Sequence, residues 1–166
     1  MSQLSHPERQ FVERGSCAPL PTPDVLALLD ELLAAERAGV KVAAALREDH
    51  PPGRIRTLLD VVHIDEAESC RLLVDAGSLG AEPGSRVGDF VHKALAVADP
   101  RERLVLLRRG QRWVVRRLED AIPRIGHPEV AAALRKVLEI HDADVAACEA
   151  VLAPADRAPA SAEPRR

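Results

Sequence analysis

The stretch LDVVHIDEAESCRLL, residues 59–73, decides the fold. Its apolar residues recur at helical spacing and continue a series that begins at Ile55 and includes Leu59 and Leu73. Glu66 stands at a position that this spacing assigns to the buried face of the helix. Because an isolated buried carboxylate is strongly unfavourable, Glu66 requires a partner inside the fold.

Three further apolar series are interrupted by a polar residue in the same way. The interruptions are Glu36 in the first predicted helix, Gln111 in the third and His141 in the fourth. The separation from 36 to 66 equals that from 111 to 141, and each pair lies at nearly equal distances from the turn between its two helices. We therefore expect all four polar side chains to meet at one level, halfway along a helical bundle.

Proline and glycine mark the ends of these helices. Pro23 follows a threonine cap, PPG at 51–53 separates the first two helices, and Pro128 begins the last one. DPRE at 99–102 is an aspartate variant of the capping box before the third helix. Four long helices with short, long and short connections are typical of a four-helix bundle with one crossover.

The long connection, residues 80–99, decides the direction of the third helix. A helix of the predicted length spans ~37 Å, whereas this segment, about half helical, can reach roughly 45 Å. It can therefore return to the starting end and place the third long helix parallel to the second. The alternative is an up-down bundle with residues 87–98 as a fifth helix at one end.

The predicted organisation is one all-α domain over residues 22–153. Residues 1–21 and 154–166 are expected to be a disordered arm and tail, because they hold proline, glycine and charge without a sustained helical period. The chain of 166 residues is 46% apolar and 30% charged, which suits a single core of ordinary size.

Composition also restricts the partners and the compartment. A net charge of −3 gives no general attraction to nucleic acid or to acidic membranes. No apolar run approaches the ~20 residues of a membrane span, and the N-terminus lacks the apolar core of a signal peptide, so we expect a cytoplasmic protein. Three cysteines without a CxxC spacing argue against a disulfide framework and a thiolate zinc site. A homodimer and an unidentified protein partner both stay open.

The four converging residues are the candidate functional site. Oxygen and imidazole donors suit iron, manganese or zinc, so Glu36, Glu66 and His141 are predicted metal ligands. Gln111 is a weak ligand or a hydrogen-bond donor, and His63, one turn before Glu66, is an auxiliary. The alternative is a metal-free core network that fixes the register of a non-enzymatic, partner-binding bundle.

Three residues near this group are also predicted to contribute to the site. Asp144 lies one turn beyond His141 and is predicted to orient its ring. Gly39 and Gly110 lie beside the site although glycine is unfavourable inside a helix, which indicates close helix approach or room for a small ligand.

Three phrases carry a resemblance to a known family: ELLAAERAG at 31–39, DEAESC at 65–70 and RGQRWVVRRL at 109–118. They resemble an uncharacterised bacterial family of ferritin-like domains, and the segment from Thr22 to Leu152 resembles the ferritin-like superfamily as a whole. The resemblance implies a Glu on the first helix, Glu-x-x-His on the second, Glu on the third and Glu-x-x-His on the fourth, together holding two iron ions.

Glu36, Glu66 and His141 match this pattern by position. Ser69, Gln111 and Leu138 stand where the family has the remaining His and two Glu. The resemblance therefore implies a mononuclear site with redox or oxygen-related chemistry, or an abandoned site, in place of a di-iron centre. It implies no particular substrate or reaction.

Overall fold

The structure is a computed structural model that describes residues 18–77 and 86–153. In chain order its elements are α1 (Thr22–Asp49), α2 (Arg54–Gly77), α3 (Phe90–Leu95), α4 (Pro100–Ala121), a 3-10 turn (Ile122–Arg124) and α5 (Pro128–Leu152). No strand occurs in this part of the chain. The all-α prediction is therefore confirmed, and the crossover holds a short helix as expected.

The helix ends follow the predicted signals with one exception. Asp99 caps α4, because its Oδ1 accepts from the backbone N–H of Arg101 at 2.7 Å and of Glu102 at 3.2 Å. Thr22 was expected to cap α1 but is already its first residue, and Pro21 precedes it without a side-chain cap. Pro23 still lies in the first turn, where its missing N–H leaves no helical hydrogen bond unmade.

Cross-helix ion pairs fix the direction of the helices. Glu31, near the start of α1, pairs with Arg117, near the end of α4, at 2.8 Å. Asp49, at the end of α1, pairs with Arg103, near the start of α4. Because α1 is antiparallel to α4 and also to α2 in their hairpin, α2 and α4 run parallel. This is the crossover arrangement and not the up-down alternative.

The interior consists of two apolar clusters stacked along the bundle axis. The first combines the beginnings of α1 and α5 with the ends of α2 and α4. The second combines the opposite halves of the same four helices. Representative members of the first are Val25, Leu29, Leu73, Leu118 and Leu134, and those of the second are Val42, Leu46, Leu59, Leu107 and Cys148. A layer without large apolar side chains separates them.

The crossover packs across the face formed by α1 and α4. The backbone N–H of Gly88 donates to the carbonyl of Ala34 at 3.1 Å, and the ring of Phe90 lies directly over Gly110. A Cβ at Gly110 would come within 3.2 Å of the Phe90 ring, so the absence of a side chain there permits this contact. Ala94 of α3 is fully buried by the same packing.

The predicted tail, residues 154–166, lies outside the described residues, and so does the predicted arm except for residues 18–21. Within the arm, the backbone N–H of Leu20 donates to the carbonyl of Arg124 at 2.8 Å, and its side chain packs against the first cluster. Among the helices that the structure describes, none is long and apolar enough to cross a membrane.

The direction of α4 relative to α1 is testable through the Glu31–Arg117 pair. We expect Glu31→Arg and Arg117→Glu each to lower the free energy of unfolding and the double exchange to recover part of the loss. The coupling energy from urea unfolding should be about 0.2–1 kcal/mol, the range for exposed pairs. Arg116→Glu combined with Glu31→Arg is the control and should show no coupling. Equal coupling in both cycles would contradict the α1–α4 register.

Candidate metal centre

The four polar positions meet in the layer between the two apolar clusters. Each side chain comes from a different long helix, and each is buried, with an exposed fraction of 0% for Glu36, 3% for Glu66, 2% for Gln111 and 1% for His141. The structure thus brings together the set that equal sequence spacing predicts. Because all four are polar and shielded from water, each must find its hydrogen-bond partner within the layer.

The side chains form a closed ring of hydrogen bonds. Nδ1–H of His141 donates to Oε1 of Gln111, and Nε2–H of Gln111 donates to Oε1 of Glu66. The carboxyl groups of Glu66 and Glu36 are hydrogen-bonded to each other. Both carboxyl oxygens of Glu36 lie 3.0 Å from Nε2 of His141, which closes the ring.

The ring determines where the protons lie. The Gln111 oxygen can only accept, so Nδ1 of His141 carries a proton, and a neutral imidazole then presents a lone pair at Nε2. If Glu66 donates its proton to Glu36 and Glu36 donates its own to Nε2, each of the four residues donates once and accepts once around the ring. The metal-free ring is then uncharged, and each of its four residues has a hydrogen-bond partner.

Burial favours this uncharged state. It raises the pKa of Glu36 to about 8 and the pKa of Glu66 well above its ordinary value, chiefly because a carboxylate there loses its hydration. Desolvation likewise lowers the pKa of His141, against the opposing attraction of nearby carboxylates, with Glu66 foremost. All three shifts disfavour charge in the layer.

Gly39 makes room for the Glu66 carboxyl group. A Cβ at this position would overlap with the carboxyl carbon and both oxygens of Glu66. The glycine that the sequence marks beside the site is therefore required for close approach of α1 and α2, and it lets a carboxyl group of α2 lie against the α1 backbone.

Asp144 does not orient the His141 ring as predicted, because Gln111 accepts the Nδ1 proton. It is 2% exposed and is hydrogen-bonded to Asp65 of α2. Burial first, and the Asp65 charge second, raise the pKa of Asp144 to about 7. Asp65 could not be identified from the sequence, because its contact with Asp144 depends on α2 and α5 being neighbours in the bundle.

His63 lies outside the ring. Its Nδ1–H donates to the backbone carbonyl of Val40 at 3.2 Å, so this ring nitrogen faces the α1 backbone and not the layer. His63 is not one of the three residues whose ligand atoms converge, and its role as an auxiliary stays a prediction. Being one turn before Glu66 sets its height along α2 but not its rotamer.

Two of the positions that differ from the ferritin-like pattern have distinct environments. Leu138 packs against the first apolar cluster and offers no donor. Ser69 is fully buried, and its hydroxyl has no hydrogen-bond partner in the described structure. Neither position supplies the imidazole or carboxylate that a second ion would need.

Glu36, Glu66 and His141 form a group that can hold one metal ion. Each offers one ligand atom, and these atoms all lie within 4.8 Å of one another. The donor set is two carboxylate oxygens and one imidazole nitrogen, which suits iron, manganese and zinc. Gln111 is bonded to both Glu66 and His141 and so positions two of these three side chains.

The chain matches, over residues 23–150, the family described as a domain of unknown function (DUF6306), and it belongs to that family. This confirms the expectation of an uncharacterised domain family. No match was found among curated proteins or among solved structures.

Gly39 and Gly77 provide a matched pair of substitutions. We expect Gly39→Ala to lower the free energy of unfolding by about 1–3 kcal/mol, because the new methyl group displaces the Glu66 carboxyl from the ring. A Cβ at Gly77 meets nothing within 4 Å, and Gly77 has no positive φ. Gly77→Ala should therefore be neutral or stabilising by up to ~1 kcal/mol. Equal effects of the two changes in urea unfolding would refute the close approach at Gly39.

The raised carboxyl pKa values predict how the stability of the metal-free protein depends on pH. The folded state holds the Glu36 proton up to a pKa of about 8, whereas the unfolded value is 4.5. The stability that this proton contributes is therefore complete below pH 4.5 and lost as pH rises toward 8, at roughly 1 kcal/mol per pH unit for one such group.

Glu36→Gln should reduce this loss between pH 6 and 8, because the amide keeps a donor and an acceptor without titrating. Asp144 contributes in the same direction, so the slope decreases but does not vanish. Glu68→Gln is the control, since Arg71 lowers the pKa of Glu68 and keeps its titration outside this range. An unchanged slope in Glu36→Gln would rule out a protonated Glu36.

Proposed function

We propose that this protein is a ferritin-like bundle that binds one divalent iron, manganese or zinc ion and supports redox or oxygen-related chemistry there. Glu36, Glu66 and His141 are the ligands. The observation that carries the proposal is the convergence of these three buried donors, from three helices, to within 4.8 Å. The parallel α2 and α4, joined by a crossover, support the ferritin-like arrangement.

Charge balance supports an exchange between protons and a metal ion. With both carboxyl groups protonated, the arrangement that burial favours, the metal-free layer is neutral. A divalent cation bound to two carboxylates and a neutral imidazole also leaves the layer neutral. Binding can therefore occur by release of about two protons, without placing net charge in the core.

The three-ligand donor set would leave coordination positions of a bound ion open for a reactant. Three protein ligands are fewer than iron, manganese or zinc normally takes, and catalytic metal sites characteristically keep an open position. A bound ion would supply Lewis acidity, and iron or manganese would also supply electron transfer. Glu66 and His141 line a cavity, so two of the three ligands face space that a small molecule can enter.

A second function has one specific observation in its favour. The hydrogen-bond ring satisfies all four polar groups without any ion. A non-enzymatic bundle that uses this ring to fix helix register, and its surface to bind a protein partner, would need nothing more. Metal binding distinguishes the two functions.

The test uses the untagged full chain, stripped with a chelator and dialysed against Fe(II) without oxygen, Mn(II) or Zn(II). We expect one ion per chain for at least one metal, a higher melting temperature in its presence, and release of about two protons per ion. Glu36→Ala combined with His141→Ala should abolish all three effects.

Glu68→Ala combined with His92→Ala is the matched control, because both residues lie outside the layer and His92 is exposed. It should bind metal as the wild type does. Substoichiometric metal that the Glu36→Ala/His141→Ala variant retains, with a melting temperature indifferent to every ion, would leave only the core-network function.

A further inference from the structure

A cavity of about 860 Å³ lies between α1, the crossover residues 86–93 and α4. Its inner end is formed by buried side chains of the polar layer, namely Glu66, Gln111 and His141. Its outer part is lined by exposed side chains, so the cavity connects the surface with the candidate metal centre. Its volume lies in the range of small-molecule sites.

Small residues line much of this space. They are Ala34, Ala35, Gly39 and Gly110, with Glu66 lying against Gly39 and Phe90 against Gly110. The crossover forms the outer wall with Phe90, which rests on Gly110. The walls between the rim and the polar layer are thus mainly hydrocarbon and aromatic, which favours an apolar ligand body.

Three cations and three carboxylates line the rim, and one of the carboxylates is paired with an arginine outside the cavity. Arg86, Lys93 and Arg109 line the cavity, are exposed, and have no ion-pair partner among the residues that the structure describes. Glu31 also lies at the rim, but Arg117, outside the cavity, compensates its charge at 2.8 Å. The three cations therefore outnumber the two other rim carboxylates, Asp30 and Asp89.

We infer that this cavity binds an amphipathic organic carboxylate. Its anionic group lies at the rim among Arg86, Lys93 and Arg109, and its hydrocarbon body extends along the α1–α4 wall toward Glu66 and His141. This inference rests on the proposed function in one respect. Only if a metal ion is bound would the hydrocarbon part of the ligand face that ion. Occupation of the cavity itself requires no metal.

Ligand binding in the cavity can be measured by the fluorescence of Trp113. It lines the cavity, and it is the sole tryptophan of a chain that has no tyrosine. Its fluorescence therefore reports on the rim without interference. The probes are octanoate, 1-octanol and octylammonium below their aggregation limits, which share one hydrocarbon body and differ in charge, titrated into the chelator-treated full chain.

We expect saturable binding of octanoate, roughly tenfold tighter than that of octylammonium, the sum of a few partly screened charge interactions. Hexanoate should bind about tenfold more weakly than octanoate, because two buried methylenes are lost. Lys93→Gln combined with Arg109→Gln should remove most of the preference for the anion. Arg116→Gln combined with Arg135→Gln, which alters exposed cations outside the cavity, should not.

Ala35→Phe fills the cavity and should abolish octanoate binding, whereas Ala132→Phe, on the exposed face of α5, should leave it unchanged. If Ala35→Phe does not fold by circular dichroism, Ala27→Phe at the exposed rim replaces it. The inference is overturned if no probe saturates, if the filled variant binds octanoate like the wild type, or if octylammonium binds as tightly as octanoate.

The two proposals can fail separately. The Glu36→Ala variant should lose metal but retain octanoate binding, because Glu36 is a ligand of the metal centre that does not line the cavity. The Ala35→Phe variant should lose octanoate but retain metal, because the three ligands are untouched. Loss of metal binding in the wild type, with octanoate binding intact, would remove the proposed function and leave the ligand site.

Discussion

The burial of Glu66 is the constraint on which the rest of the structure depends. A carboxyl group at the centre of an apolar bundle is tolerated only if its proton and its lone pairs are all used. The ring through Gln111, His141 and Glu36 meets that condition, and it does so only if four helices bring their midpoints to one level. The relative heights of the four long helices are therefore tied to the hydrogen bonds of one buried acid.

The ring is neutral with two acidic protons and would be neutral again with one divalent ion in their place. The two states use the same side chains, so the layer can satisfy its hydrogen bonds before an ion arrives and replace them when it binds. A site built from one carboxylate or from three would leave net charge in the core in one of its two states. The pairing of two acids with one imidazole is what makes the exchange feasible.

Much of this was predictable from the sequence, for identifiable reasons. Periodicity places Glu36, Glu66, Gln111 and His141 on buried faces, and equal distances from the turns place them at one level. The Asp65–Asp144 contact was not predictable, because it depends on which helices are neighbours around the bundle. The orientation of His63 toward Val40 depends on a rotamer, which spacing along a helix does not determine.

The sequence predicts only that there is open space beside the site, because a glycine such as Gly39 allows two interpretations. The sequence shows a glycine beside the site, which allows either close approach of a helix or room for a ligand. In the structure the same missing side chain does both, because it admits the Glu66 carboxyl and also lines the cavity. The shape of the space depends on the crossover, which Phe90 fixes against Gly110. Gly39 on α1 accommodates the Glu66 carboxyl, and Gly110 on α4 accommodates the Phe90 ring of the crossover. Both glycines also line the cavity that leads to the polar layer.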